Sequence, residues 1–433
     1  MEKIALPAGF EDILPEQLAP WAFAEQTIRT LFGRFGFAEI RTPHIEHTAL
    51  FVRGIGEGTD IVDKEMYTFG TGADAVSLRP EGTAPVIRSY LENGGDKFNP
   101  FRKYWYMGPM FRHERPQKGR KRQFVQAGVE MLGTASPAAD AETVVLAHRL
   151  LQALRVSKFN LKINTTGCAP CKDTYRAVLR DALKPRLERL CGNCQRRFTT
   201  NIFRVLDCKV PSCREAFDDL PDILTILCAP CREHHDAFKG HLFDLKIEFE
   251  EDRFLVRGLD YYTRTVFEVT HGGLGAQDAL LGGGRYDNLV VEMGGQLQPS
   301  VGFAAGLDRI IAVMEPASAA PAREGIYIAT MGPAAFKAGY KLAQELRDNG
   351  IKADVDFEGR SLKAQMKAAD RRQFRLAAML GEDELAKGSV TFRDLNGGDQ
   401  VEMPLEGIAG RIAQLLKEVD ENLKRALQDG EVR

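Results

Sequence analysis

Residues Phe124 to Met131 alternate with period 2, and that alternation commits the middle of the chain to a two-faced strand. Val125, Ala127, Val129 and Met131 fall on one side and form a core face. Phe124, Gln126, Gly128 and Glu130 fall on the other, which places an aromatic ring, an amide, a bare glycine and a carboxylate in a row. A ring can stack on a base, a glycine lets a ligand approach the backbone, and a carboxylate receives a donor, so this face suits a substrate floor. Just upstream, Arg112, Arg115, Lys118, Arg120, Lys121 and Arg122 stand against a single acid, Glu114. Such local density of cations suits phosphate. The alternative reading of this segment is a solvated hairpin with a basic tip.

The 433 residues predict two to four globular units at roughly 150 residues each. With 44% hydrophobic and 27% charged residues, the composition excludes wholesale disorder. No apolar run approaches the roughly 18 residues of a membrane-spanning helix, and the first residues lack a basic segment followed by an apolar one, so a cytoplasmic protein without a membrane partner is expected. The formal charge of -2 gives no global attraction to nucleic acid, and such a partner must be held by local patches. No HExxH pair is present, against the common zinc hydrolases.

Along the chain, Ile28, Leu31, Phe32 and Phe35 followed by Gly36 predict an amphipathic helix with a glycine stop. Residues 37–46 read as strand-like, Lys103 to Leu132 as two strands joined by the basic loop, and Phe254 to Val269 as a strand pair or one long strand. From about 165 to 242 the pattern breaks: all eight cysteines lie here, and the stretch reads as a Cys-rich domain inserted into a core spanning 1–320. EPASAAPARE, 315–324, reads as a linker. A second α/β unit, 325–433, opens with a βαβ pattern (strand 326–330, helix 334–348, strand 351–356) and ends in a charged helix.

Four further groups stand out. RGLDYYTRTVFE, 257–268, carries two arginines and two tyrosines. Gly282, Gly283, Gly284, Arg285 and Tyr286 read as a glycine loop or tight turn, without the Lys-Ser/Thr of a phosphate-cradling loop. SVGFAAGLDRI, 300–310, reads as a helix pressed against a sheet with Arg309 projecting. Arg79 to Thr83 reads as a turn whose carboxylate and hydroxyl could bind an ammonium. The cysteines are spaced as four pairs, Cys168 and Cys171, Cys191 and Cys194, Cys208 and Cys213, and Cys228 and Cys231. That spacing suits one or two tetrahedral zinc sites, while free thiols in a hydrophobic core are the alternative. His234 and His235 read as solvated helix residues rather than ligands.

Taken together, these motifs resemble the bacterial type of histidyl-tRNA synthetase, among the class II aminoacyl-tRNA synthetases. FRHERPQKGR with Gln126 and Glu130 is similar to the second class-defining motif, GLDRI to the third, and GFAEIRTPHIE with Pro43 to the first. RGLDYYTRTVFE and GGGRYD are similar to the two histidine-specific signatures. Asp308 departs from the glutamate that many class II enzymes carry before the arginine. The resemblance implies an α+β catalytic core on an antiparallel sheet, a Cys-rich insertion and a C-terminal α/β anticodon-binding domain. It implies a homodimer, with a sheet continued across the two-fold axis to cover an edge strand near Arg41 to Ile45. The implied activity joins L-histidine to tRNA(His) through histidyl-adenylate, with ATP and Mg2+ consumed as substrate. Arg112, Arg257 and Arg309 would be catalytic, and Glu114, Arg120 and Phe124 would complete the ATP site. Glu81, Thr83, Gln126, Glu130, Tyr261, Tyr262 and Tyr286, with Arg257, would bind histidine. Arg115 and Gln117 would face the tRNA acceptor end. The resemblance does not require zinc in the insertion. A non-catalytic, synthetase-like regulatory subunit is the runner-up, disfavoured because the signature residues and the C-terminal unit are all present.

Overall fold

The structure, a computed structural model, describes residues 4–56, 59–116, 119–258, 261–275, 278–315 and 323–414. It divides into two compact units, Met1–Pro316 and Ala317–Arg433.

The first unit is built on the strands β1 (Ala38–Glu39), β2 (Ile45–His47), β3 (Thr68–Phe69), β4 (Val76–Leu78), β5 (Arg102–Phe111), β6 (Gln123–Leu132), β7 (Phe159–Thr165), β8 (Glu250–Glu251), β9 (Thr263–His271), β10 (Ala279–Arg285) and β11 (Ser300–Gly306). Eight of them form one sheet in the order β1-β5-β6-β11-β10-β9-β7-β8, while β2, β4 and β3 form a small second sheet. The six central strands are antiparallel, as expected. The two edges are not: β1 runs parallel to β5, and β8 parallel to β7. A parallel neighbour needs a long crossover, and β8 has one because the whole insertion lies between it and β7.

The strand alternation seen in the sequence decides which face is core. Ala127, Val129 and Met131 join Trp105, Phe267, Val301 and Phe303 beneath the sheet, against Val144, Leu146, Leu150 and Leu151 of the helix Pro137–Ala153. Ser136 caps that helix by accepting from the Ala138 N–H at 3.3 Å, with Pro137 in its first turn. Ile28 and Phe32, from the helix Leu18–Arg34, close the same core. Gly36 follows that helix in the left-handed region, φ +77°.

Several readings need correction. Residues 40–44 are not strand; the strand-like stretch resolves into the short β1 and β2 in different sheets, so no edge strand runs from Arg41 to Ile45. Residues 254–258 are not strand either, and the pairing starts at Thr263. Gly282 to Gly284 lie inside β10 rather than in a loop, and 300–306 is the strand β11 rather than a helix, which begins only at Leu307. Small residues usually weaken a strand; here they are selected by what must lie on top of it.

Between β7 and β8 the insertion has no strand among its described residues. Its helices Ala169–Leu183, Gly192–Thr200, Pro211–Glu215 and Ala229–Asp244 enclose a separate core of Tyr175, Leu179, Leu183, Val205 and Phe217 together with buried cysteines. The last helix returns to the main core through Phe238 and Leu242. No helix among the described residues is long and apolar enough to cross a membrane.

The second unit is a five-stranded sheet, β12 (Ile326–Thr330), β13 (Ala353–Val355), β14 (Leu376–Leu380), β15 (Ser389–Asp394) and β16 (Gln400–Pro404), ordered β13-β12-β14-β15-β16. β13, β12 and β14 are parallel and the rest antiparallel. The helix Pro333–Asp348 forms the crossover of the anticipated βαβ unit, burying Leu342, Ala343 and Leu346. Most of the linker, 316–322, and the charged C-terminal helix after 414 lie outside the described residues.

Candidate active site

The upper face of the large sheet is the floor of a cavity of about 340 Å³. Register brings the floor together: Glu130 lies beside Gly302, Gly128 beside Ala304, Ala304 beside Gly282 and Gly282 beside Glu268. Two glycines are there because other side chains occupy the space their own would fill. A Cβ at Gly302 would collide with the Glu130 carboxylate, and one at Gly282 with the Arg257 guanidinium. All the candidate binding residues except Arg115 and Gln117 line this one cavity. Arg115 is exposed outside it, and Gln117 lies outside the described residues.

At one end is a buried polar pocket. Glu130 accepts from the Thr83 hydroxyl at 2.7 Å and from the Tyr286 hydroxyl. Burial pushes its carboxyl up to about 8, although the hydrogen bonds from Tyr286 and Thr83 favour the charged form; the nearby Glu81 carboxylate adds to the rise. The turn before the helix Thr83–Glu92 leaves backbone N–H groups free, and Glu81 takes two of them, accepting from Thr83 at 2.7 Å and Ala84 at 2.8 Å. Gln126 is buried, and its Oε1 has no hydrogen-bond partner among the described residues, so an acceptor faces the cavity ready for a donor. Tyr261 packs on Tyr262 at 4.6 Å and on Tyr286 at 5.6 Å between ring centroids, forming an aromatic wall.

The other end is cationic. Arg112 donates to the Pro80 carbonyl at 2.9 Å and lies over the Phe124 ring, 5.2 Å from its centroid. Arg120 pairs with Glu114 at 3.0 Å. Arg309 is held by the carbonyls of Gly119 and Ala279, at 2.8 and 2.9 Å. Burial lowers the pKa of Arg309, and the positive charges of Arg120 and Arg112 add to that. Three guanidiniums crowded into one partly desolvated space favour an anion strongly. Lys121, one of the six clustered cations, is committed to Asp308 at 2.8 Å and Glu11 at 2.7 Å. The other oxygen of Asp308 accepts from the Val125 N–H at 2.8 Å, so this carboxylate fixes the start of β6 below the site. Arg257 sits between the two ends, paired with Glu268 across the floor.

A buried network supports the floor from beneath, and the sequence reading missed its centre, Asp140. Arg285 and Asp140 are both fully buried and paired. Asp140 Oδ2 also accepts from Thr265 at 2.6 Å and meets His234 Nε2 at 2.7 Å. Arg285 donates onward to the Thr134 carbonyl at 2.7 Å and to Asp287 at 3.0 Å. His234 and His235 are therefore not solvated. Both are buried, and His235 meets Glu251 at 2.6 Å, so this helix of the insertion is anchored to the core by two histidines. The sequence carries no distinct signal for Asp140, because it stands beside Glu142 in the opening turns of the helix Pro137–Ala153 and only the fold shows which of the two acids is buried.

An antiparallel floor of this topology, with arginines at one end of its cavity, buried carboxyls at the other and a following α/β unit, is the arrangement of a class II aminoacyl-tRNA synthetase. Residues 9–310 match the family model described as histidyl-tRNA synthetase, and residues 325–415 that described as an anticodon binding domain. The histidine–tRNA ligase of Syntrophotalea carbinolica is 45% identical over 401 residues, covering 92% of this chain and 96% of that one. That of Thermotoga maritima is 46% identical over 410 residues, 94% of this chain and 97% of the relative. The crystal structure of apo S. aureus histidyl-tRNA synthetase superposes with a TM-score of 0.78 at 32% identity, over 95% of this chain and 100% of that one. The chain belongs to the histidyl-tRNA synthetase family.

Proposed function

We propose that the chain is a histidine–tRNA ligase: it activates L-histidine with ATP to histidyl-adenylate, releases pyrophosphate, and transfers the histidyl group to the 3′ end of tRNA(His). The observation that carries this reading is one cavity with a three-arginine anion end and a Glu130, Thr83 and Tyr286 pocket at the other, joined across a glycine floor. ATP enters as its magnesium complex. Arg112 and Arg309 hold its phosphates, with Glu114 and Arg120 fixing the nucleotide and Phe124 stacking on adenine. Histidine enters with its ammonium toward Glu81, Thr83 and Gln126 and its imidazole toward Glu130, Tyr262 and Tyr286, with Tyr261 behind them. Glu130, with Tyr262 and Tyr286, supplies hydrogen-bonding groups for the imidazole that an apolar side chain cannot use. Leaving such groups unpaired costs roughly 1–3 kcal/mol each, and this is the basis of selectivity. Arg257 bridges the attacking carboxylate and the α-phosphate. Pyrophosphate exchange into ATP, run with each of the twenty amino acids, tests the reading: histidine alone should support it, and no exchange with histidine would sink it.

The unit after Pro316 carries none of these residues and serves tRNA binding, while Arg115 and Gln117 in the basic loop meet the acceptor end. Truncation there should leave histidine-dependent exchange measurable and weaken aminoacylation. Equal loss of both in a folded truncation would contradict this division. The enzyme is cytoplasmic and acts as a homodimer, so light scattering at micromolar concentration should give twice the 48.1 kDa of the chain. A monomer would refute the dimer.

A further inference from the structure

The eight thiols of the insertion are free, with no disulfide among them. They converge into two groups: Cys168, Cys171, Cys228 and Cys231 in one, Cys191, Cys194, Cys208 and Cys213 in the other. Within each group all four Sγ atoms lie within 4.8 Å of one another. The separations of 3.6 Å for Cys168–Cys171, 3.8 Å for Cys168–Cys228 and 3.9 Å for Cys191–Cys208 are far beyond a disulfide bond of about 2.05 Å. They do match the edge of a tetrahedron, because four Zn–S bonds of about 2.3 Å place the sulfurs about 3.8 Å apart. Thiols that merely fill a core have no reason to meet in fours.

The local backbone suits thiolates rather than thiols. Cys168, Cys191 and Cys228 each stand at the N-cap of a helix, with Cys171, Cys194 and Cys231 in the first turn, where N–H groups and the helix dipole favour negative charge. The Cys228 N–H donates to Cys171 Sγ at 3.3 Å, and the Cys191 N–H to Cys213 Sγ at 3.2 Å. Both donors cross from one cysteine pair to the other, which orients the sulfurs inward as ligand-supporting bonds do.

We infer that the insertion binds two zinc ions, one in each cysteine tetrad, with the inner tetrad nested inside the chain segment that the outer one closes. Four thiolates complete the coordination and leave no open position, so both ions are structural. The crowding of the sulfurs fits a single ion per tetrad; a four-iron cluster would spread the thiolates over four metal atoms. The outer tetrad joins the start of the insertion, just after β7, to the start of its returning helix Ala229–Asp244. The inner one joins segments that carry only short helices and are otherwise held by a small core.

Protein purified without added metal should contain two zinc ions per chain by elemental analysis. Cys194→Ser and Cys171→Ser should each lower this to one. Replacement of zinc by cobalt should give thiolate-to-metal charge-transfer bands and the intense visible absorption of a tetrahedral site. Should the variants fail to fold, titration of the wild type with a mercurial in the presence of a chromophoric chelator settles the matter: zinc should leave at one ion per four thiols blocked. Zinc at or below one ion per wild-type chain, eight freely titrating thiols, an unchanged zinc content in either folded variant, or iron in place of zinc would overturn the inference.

Discussion

Replacing Arg257 with histidine is expected to slow histidyl-adenylate formation by roughly 100-fold to 1000-fold, about 3–4 kcal/mol, with a smaller rise in the histidine KM. The guanidinium lies over Gly282 between the anion end and the amino-acid end, where the attacking carboxylate and the α-phosphate meet in the proposed reaction. It stays protonated at neutral pH, and its planar fork can hold a carboxylate oxygen and a phosphoryl oxygen together. Negative charge gathers on those oxygens in the transition state, so the interaction is stronger there than in the ground state and acts mainly on kcat. Histidine retains a ring and a possible charge but loses the fork. The competing explanation is structural, because Arg257 is paired with Glu268 and so ties residue 257 to β9. Glu268→Gln separates the two: it breaks the ion pair while leaving the guanidinium in place. If Arg257 only ties the chain, single-turnover adenylate formation should fall equally in both variants or in neither, with melting temperature the main change. If Arg257 acts on the reacting atoms, the Arg257→His variant should lose chemistry far beyond the Glu268→Gln variant.

The parts of the site legible in the sequence were those where one strand carries its own pattern. β6 alternates alone, so its buried face and its substrate face could be separated without knowing its neighbours. The basic loop before it was equally local. What could not be read depends on residues brought together from a distance. Gly282 to Gly284 have the composition of a turn yet pair on both sides as strand, and at Gly282 the space a side chain would take is filled by Arg257, a neighbour that lies apart along the chain. The same holds for β11, whose small residues suit a close-packed helix in isolation, while Gly302 is set by Glu130 of the neighbouring strand. His234 and His235 carried no marker of burial, because their acceptors Asp140 and Glu251 come from other elements. The cysteine spacing exposed the four pairs, whereas which pair joins which follows from how the insertion helices fold back on one another. Local periodicity fixes faces; partner choice is tertiary.

Glu130→Gln should impair histidine recognition and at the same time make the unliganded protein more stable above neutral pH. The carboxylate accepts from Thr83 and Tyr286 and is buried to 1% exposure, so it can receive an imidazole N–H only as part of a desolvated network. An amide keeps the shape but cannot release a proton to accept an imidazole N–H on a carboxylate, and kcat/KM for histidine should fall by roughly 10-fold to 100-fold, mostly through KM, with the ATP KM little changed. The stability effect follows from burial, which raises the carboxyl from 4.5 to about 8. The folded protein then holds a proton that the unfolded chain has released between those two values, so the contribution of this group is fully present below 4.5 and lost as the pH rises through about 8. The slope approaches about 1.4 kcal/mol for each pH unit in that window. Glutamine does not titrate and escapes the loss. The melting temperature of the variant relative to the wild type should therefore climb between pH 5 and pH 8 in the absence of histidine. Parallel melting curves across that range would mean that Glu130 is ionised at little cost in the empty site, and normal histidine kinetics in the variant would mean that the row from Phe124 to Glu130 does not face the amino acid.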